Sequence, residues 1–262
     1  MSYTILDIII YPVKSMSGIS LTSARALFAG FEHDRRWMLL DENNVFITQR
    51  QIPQLALFKP LINNGSLIIE YQNEKLEIGL DEILSEIIET KVFDDAAITI
   101  ATSRRADDWL STRLEKKVRL VKIHSDQGRY HHNKKRNVSI PVSLADGYPY
   151  LVAGTSSLEL LNSKLTDPVP MNRFRPNIVL NTSIPHIEDE LNHCDSGDAS
   201  FINMKPCGRC TIVTIDQSRA TINNETLTTL NTYRKSGNSV LFGTNMMCTK
   251  EGIIRIGDKF CE

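Results

Sequence analysis

Short β-branched and aromatic runs, packed close along the chain, constrain this protein most. Five of them fall within the first 71 residues, at 4–13, 36–40, 45–49, 55–60 and 66–71, punctuated by turn residues such as Glu42-Asn43-Asn44 and Asn63-Asn64-Gly65. Strands this close together, in meander order, predict an antiparallel barrel or sandwich. Further strands are expected at 175–181, 211–215 and 253–260. Helical periodicity is sparser. Residues 107–117 place Trp109, Leu110 and Leu114 on one face, Ser156 with Glu159 forms a capping box ahead of Leu158, Leu161 and Leu165, and 226–235 reads as a third helix. The expected class is mainly β with a few helices (α+β).

At 262 residues the chain suffices for one large domain or two smaller ones, and a boundary is placed between residues 85 and 125, giving domains 1–120 and 121–262. No Pro/Gly/Ser-rich hinge marks it. A net charge of −1 gives no general attraction to nucleic acid or anionic lipid. Neither a secretory core after Met1 nor an apolar stretch of spanning length is present in the sequence, so a cytoplasmic, membrane-free protein is expected.

Chemistry concentrates in Pro206-Cys207-Gly208-Arg209-Cys210. Cys-x-x-Cys has three functional readings: half a zinc site, a redox dithiol, or a single ligand beside a bystander cysteine. The other cysteines, Cys194, Cys248 and Cys261, supply no second paired spacing for zinc, and the motif leads into a β-branched run rather than a helix. A soft thiolate ligand borne on a strand is therefore favoured, with a buried cysteine pair as the structural alternative. Arg209 is expected to favour the thiolate, and Gly208 to let the backbone approach a bulky group.

Polar residues that interrupt the strand pattern form a second set. Lys14-Ser15 ends an apolar run, Asp34-Arg35-Arg36 starts another, and Arg173-Phe174-Arg175-Pro176-Asn177 precedes Ile178-Val179-Leu180. Singly, such arginines are usually solvated; together they have the forked donors needed to grip a phosphate or polyoxo-anion. The basic run 129–136 reads as a solvated loop, with a docking patch for an acidic electron carrier or a rim over the site as alternatives. Asp94-Asp95 and Glu188-Asp189-Glu190 read as ordinary surface.

These motifs, in this order, resemble the MOSC superfamily, in the branch with an N-terminal β-barrel domain ahead of the MOSC β-barrel domain. The resemblance rests on Tyr11-Pro12-Val13-Lys14-Ser15, Asp34-Arg35-Arg36-Trp37, Thr48-Gln49-Arg50, Asp146-Gly147-Tyr148-Pro149, Phe174-Arg175-Pro176-Asn177-Ile178-Val179, Cys207-Gly208-Arg209-Cys210, Leu241-Phe242-Gly243 and Ile256-Gly257-Asp258. Within it the chain resembles the mitochondrial amidoxime-reducing components and their bacterial counterparts. The superfamily is also associated, at that level only, with pyridoxal phosphate binding.

The resemblance implies a molybdenum cofactor, with Cys210 as the protein's metal ligand. Lys14, Ser15, Arg35 and Arg175 match positions that hold pterin and phosphate, Asn177, Gly208 and Arg209 line the same pocket, and Cys207 is a bystander. It further implies reduction of small N-hydroxylated compounds, with Cys210 at the catalytic centre. The sequence ends without the ferredoxin domain of longer relatives, so electrons are expected from a separate ferredoxin, flavodoxin or cytochrome b5-like donor. The alternative is a sulfur-carrier or cofactor-handling protein without turnover of its own.

Overall fold

The computed structural model describes residues 2–124 and 128–261. Its largest sheet runs Tyr150–Gly154, Ile178–Asn181, Ser2–Ile10, Lys259–Cys261, His193–Ser196, Ala199–Arg209, Ser239–Lys250. The last of these pairs back onto the first, with Thr244 opposite Val152, so the sheet closes into a barrel. Tyr150–Gly154 and Ile178–Asn181 are parallel, and the helix Thr155–Asn162 begins the crossover between them. The first strand of the chain is thus bonded between strands from the second half, Ile178–Asn181 on one side and Lys259–Cys261 on the other. Ile5, Ile8, Tyr150, Val152, Ile178, Phe201, Met246 and Phe260 fill this barrel's core. Each such side chain removed from water stabilises the fold by about 1.5–3 kcal/mol.

The remaining N-terminal residues form smaller sheets. Lys59–Asn63, Ser66–Tyr71 and Glu74–Gly79 make a three-stranded meander, and Trp37–Leu40 joins Arg119–Ile123, Asp95–Ala101 and Ile87–Val92. A helix, Arg104–Leu114, packs Ala106, Leu110 and Leu114 into a core with Trp37, Phe58 and Leu67. A last helix spans Glu225–Tyr233 and packs Leu230 with Phe174, Val213 and Phe242. No helix among the described residues is long and apolar enough to cross a membrane.

Several expected elements differ. Residues 45–49 contribute only an isolated bridge from Phe46 to Leu40, because Thr48 turns away with its N–H bonded to Gln51 Oε1 at 2.9 Å. In 55–60, Pro53 opens a 3-10 helix, Pro53–Leu57, and the strand starts only at Lys59. The β-branched run 211–215 is also 3-10, Thr211–Thr214. The Thr214 hydroxyl donates to Thr211 O at 2.7 Å, so a side-chain bond replaces a ladder bond while Val213 is buried. The capping box at Ser156 does not form. Gly154 is the N-cap, and the Ser156 hydroxyl is buried against Thr182 Oγ1 at 2.6 Å. The expected strand 175–181 begins only at Ile178, since Arg175 is left-handed, and 253–260 is split into Gly252–Arg255 and Lys259–Cys261.

Candidate functional site

Segments far apart in sequence converge on one cavity of about 530 Å3 at the barrel's edge. Lys14, Ser15, Arg35, Arg175, Asn177, Gly208, Arg209 and Cys210 all line it. Three of them hold left-handed backbone: Ser15 at φ 70°, Arg35 at 48° and Arg175 at 55°. Residues with a Cβ avoid that region at a cost of roughly 1–2 kcal/mol each, so the surrounding packing must over-determine these turns. Gln49, fully buried, is one of the restraints, its Nε2 donating to Ser15 O at 2.7 Å. The turns aim a lysine and two arginines at the same space.

The cations are neutralised unequally. Lys14 Nζ pairs with Asp146 and donates to Leu144 O at 2.9 Å; burial is the main force lowering its pKa, with Asp146 opposing. Arg35 pairs with the buried Asp34 at 2.6 Å and donates to Asn177 Oδ1 at 3.0 Å. Burial opposes its charge, but Asp34 prevails and its pKa is raised. Arg175 differs. Its guanidinium lies 4.2 Å from the Tyr11 ring centroid, beside Arg35 at 4.5 Å from the same ring, and has no carboxylate partner among the described residues. Burial lowers its pKa to about 10, Tyr11 opposes this, and Arg35 adds to it. Burial likewise pushes the Tyr11 phenol up to about 12.

Cys207 and Cys210 line the same cavity. Cys207 and Arg209 are the last turnings of the long strand Ala199–Arg209, whose register against Ser239–Lys250 shifts between Pro206 and Gly208. The glycine is therefore part of a strand irregularity, not a tight turn, and a Cβ there would come 3.3 Å from Ser239 Oγ. Its absence makes room for the neighbouring strand. Cys210 follows at the N-cap of the 3-10 turn, half-buried and reduced. Arg209 does not point to Cys210: Nη1 donates to Cys207 Sγ at 3.0 Å and Nη2 to Phe174 O at 2.7 Å, leaving a buried Nε without a partner.

Other expectations need correction. Arg173, paired in sequence with Arg175, leaves the cavity and bonds Asp216 at 3.1 Å. Asn177 lines the wall, but its Oδ1 already accepts from Arg35 and Leu151 N and its Nδ2 donates to Ile9 O, so it ties strands and steadies Arg35. The basic run is only partly a solvated loop, since Lys134, Lys135 and Arg136 sit in an exposed turn but the residues before them are in a strand. Arg129–Asn133 and Val138–Val142 form a hairpin, with Arg129 buried and bonded to Asp95 at 2.8 Å. Nor are the acidic pairs ordinary surface. Asp95 lines the cavity, Glu188 is fully buried against the Ser157 hydroxyl at 2.8 Å, and Asp189 pairs with Arg234. Sequence reasoning also missed Tyr11, Asp34, His131 and Lys205. Adjacency of Asp34 to Arg35, the place of Tyr11 at the head of a family motif and the reading of the basic run as a rim over the site were usable signals; nothing local marked Lys205.

A strand barrel that brings cysteines, a lysine and arginines to one cavity defines a class of β-barrel proteins with a thiol- and guanidinium-lined pocket. Comparison with known families makes it specific. Residues 2–117 match the MOSC N-terminal beta barrel domain and residues 140–260 the MOSC domain. The chain belongs to the MOSC superfamily, in the branch with the N-terminal β-barrel domain. It is similar to molybdenum cofactor sulfurase of Oryza sativa subsp. japonica, 30% identical over 90% of this chain but 31% of that protein. It is also similar to mitochondrial amidoxime-reducing component 1 of Xenopus laevis, 28% identical over 96% of this chain and 80% of that protein, and of Danio rerio, 26% identical over 97% and 83%. The chain thus spans about a third of the sulfurase and about four fifths of the amidoxime-reducing proteins.

Proposed function

We propose that this protein is a molybdenum-cofactor-dependent oxidoreductase that reduces small N-hydroxylated compounds. The observation that carries the reading is Arg175, a guanidinium buried on the cavity wall with no carboxylate paired to it among the described residues. A buried charge without a counter-ion is costly, and an anionic ligand removes that cost. Arg209, with a buried Nε unpartnered, and Lys205 on the same wall add donor capacity suited to phosphate and pterin oxygens. In the same cavity the Cys210 thiol is a soft ligand suited to molybdenum. The residues present therefore fit the group.

In this reading Arg175, Arg209 and Lys14 hold the anionic part, Ser15 and Arg35 shape the turn around it, and Cys210 ligates the metal. When bound, the cofactor supplies two-electron redox chemistry and acceptance of the substrate oxygen. Electrons arrive from a separate ferredoxin, flavodoxin or cytochrome b5-like donor, and the protein works in the cytoplasm without nucleic acid. A carrier role like that suggested by the sulfurase relatives makes a different prediction: Cys210 bearing a persulfide, with no turnover.

The test is metal analysis on protein made in a host competent for the cofactor, with C210A alongside. Near-stoichiometric molybdenum and benzamidoxime reduction by reduced viologen are expected in the wild type. In C210A the reduction should fall by at least about 100-fold, whatever metal the pterin contacts retain. Wild-type protein without molybdenum or pterin fluorescence sinks the assignment.

A further inference from the structure

The N–O bond of an N-hydroxylated substrate breaks only if the departing oxygen gains protons, and no acid is evident in the sequence motifs. The cavity holds one. His131 lines it, on the hairpin strand Arg129–Asn133, and its Nδ1 lies 3.1 Å from Asp95 Oδ2. An ionised carboxylate only accepts, so Nδ1 must carry the hydrogen, which leaves Nε2 as the exchangeable site. Asp95 is itself held: Arg129, with no exposed side-chain surface, donates to the same Oδ2 at 2.8 Å. The imidazole is oriented from its other side by Tyr148, edge-on at 5.1 Å between ring centroids, whose hydroxyl accepts from Asn133 Nδ2 at 2.9 Å. Its Cε1–Nε2 edge faces Gly147, where an added Cβ would stand 3.9 Å away, and the side chain is 26% exposed. Asp94, Asp146 and Lys205 are the other charged groups on the nearby wall.

We propose that His131 is the proton donor of this cavity, delivering the Nε2 proton to the oxygen that leaves the substrate, with Asp95 and Arg129 as its positioning residues. The role rests on the reductase reading. In R–NH–OH + 2 e⁻ + 2 H⁺ → R–NH2 + H2O the N–O bond is cleaved, nitrogen is reduced, and oxygen departs as water. The two electrons come one at a time from two molecules of the reduced carrier (or of reduced viologen in the assay), one proton comes from His131, and the other from solvent. The exposed edge of His131 is then reprotonated by water.

Two readouts on the full chain test this. In cofactor-loaded protein with reduced viologen and benzamidoxime, H131Q should lose about 100-fold in kcat with little change in KM. Its pH–rate profile should also differ from that of the wild type; H131N serves as a second variant should H131Q unfold. In cofactor-free protein, nitrogen-15 NMR should show His131 as the Nδ1–H tautomer, a preference that D95N removes. H131Q with wild-type kcat and an unchanged pH profile overturns the proposal, as does an Nε2–H tautomer in the wild type. Cofactor-loaded wild type that reduces no N-hydroxylated compound overturns the reductase reading itself, and this role with it.

Discussion

Arg175 concentrates what is unusual about the residues of this site. Its backbone is left-handed, its guanidinium is buried, and its charge lies at the Tyr11 ring together with that of Arg35, with no carboxylate paired to it among the described residues. Such an arrangement serves binding at the expense of stability. R175M keeps the stem and removes the charge. Cofactor-free R175M should unfold at the same free energy as wild type or about 1 kcal/mol higher. Its molybdenum content after purification should fall by at least about tenfold. Chemical denaturation and metal analysis check the two halves. A large loss of stability in the cofactor-free variant means that the fold itself already neutralises Arg175.

Among the elements, the long pair Ala199–Arg209 and Ser239–Lys250 delivers the cysteines, and its irregular register depends on Gly243. That residue has φ 72°, and a Cβ on it would come 2.7 Å from Val152 O in the strand that closes the barrel. G243A therefore combines left-handed strain with a backbone clash, and should cost about 3 kcal/mol. Gly65 is the control: its φ is 76° but nothing lies within 4 Å of an added Cβ. G65A should cost only the strain, about 1 kcal/mol. Equal losses in denaturant midpoints would show that the closing contact carries no energy.

For the whole molecule, the pH dependence of stability is set partly by His186. Both ring nitrogens are buried without partners, and burial, aided by Arg234, lowers its pKa to about 4. Its folded value lies below the ordinary 6.5, so the unfolded chain binds the proton first as pH falls. The contribution is complete above pH 6.5 and is lost down to about 4, by at most about 3 kcal/mol. Asp107 works the other way, since burial raises its pKa to about 6 and its protonation favours the fold over part of the same range. The comparison must therefore be made against H186N, which tolerates the left-handed backbone at φ 63°. The stability difference between wild type and H186N should shrink from pH 7 to pH 4; a constant difference contradicts a neutral buried imidazole.

Strand-rich architecture was legible in the sequence, because β-branched runs and turn residues are local patterns, and the resemblance of its motifs to a family pointed to the residues of the cavity wall, whose convergence no spacing could show. The same local patterns misled where tertiary bonds outweighed propensity. Thr214 curled 211–215 into a 3-10 turn, and Thr182 took the hydroxyl of Ser156 from its expected cap. Only the tertiary structure decided which arginines face the cavity, since Arg173 and Arg175 differ by two residues yet one is spent on Asp216. It alone brought His131 to Asp95 and buried Glu188. Spacing along a chain specifies which groups are available; charge compensation and burial depend on strands and turns more than a hundred residues apart, as the bond from Arg35 to Asn177 shows.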